Sequence, residues 1–168
     1  MAADLFAPLP LACGATLPSR IAKAATQEAL AGPGQLPDKH LFNAYARWSR
    51  GGSGLLLTGN VMIDRRAMTG PGGVVLEDDR HLQAFQAWAA IGRAQGAQFW
   101  MQINHPGRQV PRSLGQATWA PSAVALDLGK HSNMFDTPKA MNEDEIAEVI
   151  ARFARTARLC EQAGFSGV

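Results

Sequence analysis

The sequence predicts an α/β fold with a parallel sheet, corresponding to the N-terminal half of a (β/α)8 TIM barrel with an N-terminal β-hairpin. Three observations point there. Apolar runs of strand length alternate with segments of helical periodicity, in the order hairpin, β, α, β, α, β, long loop, α, β, as strands joined by helical crossovers require. The run "GLLLTGN" is continuously apolar rather than alternating, as in a strand covered on both faces. The 168 residues fall short of the roughly 250 a whole barrel takes, and the last segment, "FSGV", reads as the opening of a fourth strand. An open doubly wound sheet fits less well. Its fourth strand would be a stub, and "QEALAGPGQLPD" has Gly32 and Gly34 but neither a third glycine at the right spacing nor an immediate helix. The expectation is one partial domain over residues 1–168, a hairpin plus about three and a half βα units.

"LFAPLPLACGATLPSR" carries two short apolar segments around the turn signal Cys13-Gly14, hence a hairpin. "RIAKAAT" is the first core strand, expected over residues 21–26. Asp38 caps a helix running to about Arg50, with Leu41, Phe42, Tyr45 and Trp48 on one face and Gly51 as its stop. The second strand is expected over 54–60. Asp78 or Asp79 starts a second helix that turns Leu82, Phe85 and Ala89 inward and ends near Gly96, and the third strand is expected over 97–103. Asn142 caps the clearest helix. Glu143, Asp144 and Glu145 occupy its first turn, where the helix dipole favours anions, and Glu145 completes an Asn-x-x-Glu capping box. Ile146, Val149, Ile150, Phe153, Ala157 and Cys160 form its apolar stripe, Gly164 stops it, and a strand over 165–168 follows. The expected spatial order of the strands is their sequence order.

Composition narrows the function. The apolar fraction is 46%, the charged fraction 18% and the net charge +2, which argues against nucleic acid or an anionic membrane as partner. The basic residues are dispersed, Arg65-Arg66 being their one adjacent pair. No apolar run approaches the roughly eighteen residues of a membrane span. "MAADLFAPLP" lacks the basic and apolar regions of a secretory signal. Cys13 and Cys160 have no metal or redox spacing and are expected as free thiols in a reducing cytoplasm.

The chemistry concentrates in "MQINHPGR", which places Gln102, Asn104, His105 and Arg108 at and just past the C-terminal end of a strand, the face on which barrels keep their active sites. Thr26, Thr58 and Asn60 end the two preceding strands on the same face. Amides and hydroxyls without a carboxylate pair or metal cluster suit the edge of a neutral heteroaromatic ring. Structural roles stand beside that reading. His105-Pro106-Gly107 also reads as a turn, Arg108 as a surface or helix-end partner, Gln102 as a satisfied core amide, and Thr26, Thr58 and Asn60 as structural groups. Asp64, Arg65 and Arg66 read as a polar loop or as a contact to an anion, and His40 and His81 as solvated.

Five ordered segments resemble the old yellow enzyme family of FMN-dependent NAD(P)H oxidoreductases and ene-reductases: "LFAPL" with "LPSRIAKAA", "RWSRGGSGLLLTGNVMIDRRA", "WMQINHPGRQ", "APSA", and "KAMNEDEIAEVIARFARTARLCEQAGFSGV". The resemblance implies FMN contacts at Ala24, Ala25 and Thr26, largely through backbone, at Asn60, and from Gln102 to the flavin pyrimidine ring. Gln27 falls near the flavin O4/N5 edge, where many members have Thr or Cys, and Ala24-Ala25 replaces a common small-Pro pair. The family's substrate-holding histidine pair is expected beyond Val168, so no catalytic residue is assigned within residues 1–168, and no metal is implied. The implied activity is reduction of FMN by NADH or NADPH, then of the activated C=C bond of a small enone-type substrate. The 168-residue chain alone is expected to be inactive, its partner being a C-terminal half-barrel or another copy of itself. The alternative is a non-enzymatic, self-associating half-barrel, which would be colourless where an FMN-bound protein is yellow.

Overall fold

The structure is a computed structural model and describes residues 4–168. A hairpin of β1 (Leu9–Pro10) and β2 (Thr16–Leu17) pairs antiparallel, with Leu9 opposite Leu17. Gly14 turns it at φ 87°, a conformation open to glycine at little cost. There follow β3 (Ala22–Lys23), α1 (Lys39–Ser49), β4 (Leu55–Met62), β5 (Val74–Val75), α2 (Leu82–Arg93) and β6 (Gln98–Asn104). The long loop contributes short 3-10 turns (Gly107–Gln109, Arg112–Leu114 and Gly129–Met134) and the strands β7 (Trp119–Ala120) and β8 (Lys139–Ala140), paired in parallel, before α3 (Glu143–Gln162).

The main sheet is parallel, and its strands stand in the predicted order. β3 pairs with β4, β4 with β6, and Trp100 of β6 bridges Gly167. The fourth strand is thus one bridge, tied by Met101 N–H to the Gly167 carbonyl and Ser166 N–H to the Phe99 carbonyl, both 2.9 Å. Three expectations need correction. The first strand stops at Lys23 instead of 26, because side chains replace its ladder. The Lys23 ammonium donates to the Leu57 carbonyl (2.9 Å), and the Gly59 N–H donates to the Glu28 carboxylate (2.9 Å). Past that point β5, unforeseen in the glycine-rich loop, takes the vacated edge of β4 beside Val61 and Met62. The second helix starts at Leu82, later than expected, because Asp78 accepts from the Arg80 N–H (3.1 Å) and guanidinium in a turn ahead of it.

Local chemistry explains the helix starts. Asp38 accepts from the His40 N–H (2.9 Å) at the head of α1. Asn142 and Glu145 form the predicted reciprocal box at the head of α3. The apolar stripe of α3 holds for Cys160, which is buried, and for Ile146, Val149, Phe153 and Ala157, which are half-buried, but not for Ile150, which is 64% exposed while Thr156, Leu159 and Ala163 are buried. Thr156 joins the buried arc because its hydroxyl donates to the Leu76 carbonyl (2.7 Å). Trp48, expected inward on α1, is 37% exposed and lies over the Lys23 ammonium, 4.6 Å away.

The core lies between the sheet and the helices. The rings of Tyr45, Phe99, Trp88 and Phe165 pack with centroids 4.7–5.7 Å apart. The opposite, inner face of the sheet carries Leu55, Leu57, Asn60, Gln98, Trp100 and Gln102, all half-buried or exposed. The core allows no slack at Gly92 of α2, where a Cβ would stand 2.8 Å from the Phe99 Cγ and closer to its ring edge. Alanine gains about 0.5–1 kcal/mol of helix preference over glycine, but overpacking costs about 1–3 kcal/mol. Gly92→Ala is therefore expected to lower the urea midpoint, with a net loss of about 1–2 kcal/mol and an unchanged slope.

Candidate active site

Between Leu57 and Asn60, β4 holds one residue more than the facing stretch of β6, so the register shifts and Asn60 lies opposite Gln102. This is a β-bulge in a parallel pair. Thr58 supports it, since its buried hydroxyl oxygen accepts from the Gln102 N–H (2.9 Å). Of the two readings of Thr58, the structural one holds.

Four of the predicted residues form one extended run that crosses the strand ends. Ala24 and Thr26 are exposed, and Ala25 and Gln27 half-buried. Among the described residues, no backbone–backbone hydrogen bond engages Ala25, Thr26 or Gln27. The run lies directly on Gly59, where a Cβ would come within 2.8 Å of the Gln27 Cα. The Gln27 Oε1 accepts from Asn60 Nδ2 (2.8 Å) and from the Thr69 hydroxyl (3.1 Å), which leaves its Nε2 as a donor. The Gln102 side chain is exposed and without a hydrogen-bond partner among the described residues, so it is not a satisfied core amide. The structure thus gathers Gln27, Asn60 and Gln102 beside the 24–26 backbone, at the C-terminal ends of three neighbouring strands.

Sequence reasoning missed what lies behind this run. Glu28 accepts from the Tyr45 hydroxyl and stands 4.0 Å from the Lys23 ammonium. Burial lowers the Lys23 pKa and the Glu28 charge opposes that shift, while burial and Glu28 together push the Tyr45 phenol far above its usual range. The available signal was two opposite charges five residues apart in an otherwise neutral stretch.

His105 and Arg108 are turn and loop supports. The His105 Nδ1 accepts from the Gly107 N–H (3.1 Å), and Arg108 donates to the Val124 and Ala125 carbonyls (3.2 Å each). A cavity of about 440 Å³ is lined by Asp64, Arg66, His105, Gln116 and Trp119, away from Gln27, Asn60 and Gln102. Its charges are already matched: Arg66 pairs with Asp64 (2.7 Å) and Glu148 (3.4 Å), and Arg152 stands 3.6 Å from Asp64. The Arg66 and Arg152 guanidiniums hold the Asp64 carboxyl below its usual range against the opposing effect of burial.

The sequence profile of the NADH:flavin oxidoreductase / NADH oxidase family matches residues 4–168. The NADH-dependent flavin oxidoreductase iliE of Neonectria sp. (strain DH2) is 38% identical over 96% of this chain and 23% of its own length. The protein of the same name from Hypocrea jecorina is 35% identical over 99% of this chain and 46% of its length. Among solved structures, the old yellow enzyme homologue from Zymomonas mobilis superposes with a TM-score of 0.85 at 27% identity, over 99% of this chain and 47% of that one. Morphinone reductase shares the fold with a TM-score of 0.82 at 23% identity, over 96% of this chain and 46% of its own. The chain spans half or less of the length of these proteins, and its fold is that of the N-terminal half of their barrel.

His105 checks the geometry directly. Burial lowers its pKa from 6.5, with the nearby Asp64 charge opposing. A folded value below the unfolded one means that the native state binds fewer protons here. The group therefore favours folding fully above about pH 6.5, and that contribution is lost as pH falls through the folded midpoint. An NMR titration should place the His105 midpoint below 6.5. His105→Asn should lose less stability than the parent protein between about pH 7 and pH 5.

Proposed function

The chain belongs to the NADH:flavin oxidoreductase / NADH oxidase family, and we propose that it supplies the first half of the flavin site of an FMN-dependent NAD(P)H oxidoreductase acting on the activated C=C bonds of enone-type substrates. The observation that carries this reading is the set of amides at the strand ends. A flavin edge mixes donors and acceptors. The unpartnered Gln102 amide offers both, and Gln27 presents its Nε2 donor because its oxygen is taken by Asn60 and Thr69. The unengaged backbone groups of Ala25, Thr26 and Gln27, flanked by Ala24, suit a ring laid along the run. FMN, when bound, supplies the hydride chemistry, and the side chains orient and tune it. The names of the relatives, NADH-dependent flavin oxidoreductases, favour NADH over NADPH as the reductant.

In this reading Gln27, Asn60 and Gln102 hold the ring. The histidine pair that holds the substrate carbonyl oxygen comes from residues just past Val168, and the groups that grip the FMN phosphate come from the last strands of the barrel. The 168-residue chain alone then turns over no enone, since losing one preorganised donor typically costs about 100- to 1,000-fold. The half-exposed Leu55, Leu57 and Trp100 of the inner face are covered by a C-terminal half-barrel or, in the non-enzymatic alternative, by a second copy. Among the described residues no helix is long and apolar enough to cross a membrane. Cys13 and Cys160 are free thiols, which fits a cytoplasmic setting.

The test is FMN affinity, read by flavin fluorescence. In the protein completed by its C-terminal half-barrel, Gln102→Leu removes a ring contact worth about 1–3 kcal/mol, hence an expected loss of roughly 5- to 150-fold. Unchanged affinity and reduction rate would refute the assignment. An anaerobic assay of the 168-residue chain with NADH, FMN and cyclohexenone should not exceed free FMN, and turnover well above that control would show the chain to be sufficient.

A further inference from the structure

The segment that carries Ala24, Ala25, Thr26 and Gln27 is fastened to β4 at both ends by side chains. At its start, one Lys23 ammonium donates to the Ala24 carbonyl (3.0 Å) and to the Leu57 carbonyl of β4 (2.9 Å). At its far end, the Glu28 carboxylate accepts from the Gly59 N–H (2.9 Å), a donor left out of the ladder by the bulge. The two charges stand 4.0 Å apart, with side chains only 13% and 8% exposed. α1 closes the cluster from behind. The Tyr45 hydroxyl donates to Glu28, and the Tyr45 and Trp48 rings stand 5.4 Å and 4.6 Å from the ammonium. A buried ion pair of this kind contributes little net stability beyond an apolar replacement. What it does supply is geometry, because each charge is tied to the β4 backbone, Lys23 at the Leu57 carbonyl and Glu28 at the Gly59 N–H.

We propose that Lys23, Glu28 and Tyr45 are positioning residues for the flavin site, a charged clamp that holds the 24–27 backbone at a fixed height over Gly59 and so sets where the Gln27 amide and its neighbouring peptides meet the ring. The inference rests on the reading of 24–27, Asn60 and Gln102 as the flavin-contact set. None of the three touches the ring. Each acts through the segment or through another member of the clamp.

The experiment measures FMN affinity and the visible band of the bound flavin in the protein completed by its C-terminal half-barrel, with the urea midpoint recorded for every variant. Lys23→Met keeps the length of the stem without the charge. Glu28→Gln keeps an acceptor for Gly59 without the charge. A displacement of the run by about 1 Å is expected to weaken FMN binding ten- to a hundred-fold in each, and to shift the flavin band. The double variant should lose less than the product of the two, because the pair acts as one unit. Thr156→Val, which removes the bond of α3 to the Leu76 carbonyl and no bond of the clamp, should lose stability and keep the parent's affinity and spectrum. Should the charge variants fail to fold, Tyr45→Phe, which keeps the ion pair and the ring, decides with a smaller loss in the same direction. If the clamp variants bind FMN with the parent's affinity and band while Gln102→Leu weakens it, the clamp is not a positioning device. If Thr156→Val weakens FMN as much as they do, the clamp acts only through stability. If the parent shows no saturable FMN binding, or Gln102→Leu leaves it unchanged, the flavin-site reading itself fails.

Discussion

The hydrogen bond from the Gln102 N–H to the Thr58 hydroxyl oxygen (2.9 Å) stands where a regular parallel pair would place a bond to the backbone of β4. It lets β4 carry one residue more than β6 between Leu57 and Asn60. Were β4 paired regularly from Leu57 onward, with no bulge, Asn60 would lie opposite Ile103, and a shift of one position sends a strand's side chains to the other face. Asn60 would then point toward the helices, away from Gln102. The same irregularity takes Gly59 out of the ladder, so that its N–H meets Glu28 and its bare Cα admits the 24–27 run. The amide pair, the resting place of the run and the early end of β3 all follow from one displaced residue.

The two faces of the sheet obey different physics. On the helix side, Tyr45, Trp88, Phe99 and Phe165 pack ring against ring and leave almost no exposed area. That side tolerates neither a missing nor an added methyl group. On the inner side, side chains of mixed polarity stand half-open. Tyr45 joins the two, because its ring belongs to the core and its hydroxyl reaches the carboxylate behind the run. The geometry of the open face is in this way set by the rigidity of the closed one.

Much of this was legible in the chain. Alternation of apolar runs and helical periods yields the parallel sheet, its strand order and α1 and α3 nearly to the residue, because caps such as Asp38 and Asn142 act locally. Gln27, Asn60 and Gln102 were singled out, and the structure gathers them. What escaped depends on partners distant in sequence. β3 is short because Lys23 meets Leu57, 34 residues on. β5 exists because a glycine-rich loop returns to an edge already vacated. Ile150 is exposed because a polar residue, Thr156, out-competes it for the buried arc, and a stripe drawn from apolar residues alone cannot show that. The Lys23 and Glu28 pair escaped for a like reason: the periodicity that marks a strand has no place for a charge that turns inward.

The bond from Thr156 to the Leu76 carbonyl also bears on how the chain assembles. It joins residues 80 apart, and with the Asp64 to Arg152 pair it holds α3 against the rest. The contacts of β3, α1, β4, α2 and β6 close shorter spans. Doubling a loop adds only about 0.6 kcal/mol to its closure, so the long span weakens the finished fold little, but contacts between distant residues form late. On a ribosome, everything up to β6 can associate while α3 is still being made. The capping box lets α3 coil early and wait, a ready-made helix that docks last. Pulsed hydrogen exchange during refolding would see this as amides of β4 and β6 protected before the Thr156 side of α3 is seated, and simultaneous protection would refute it. The helix with the strongest local code is, in time, the one that depends most on the others.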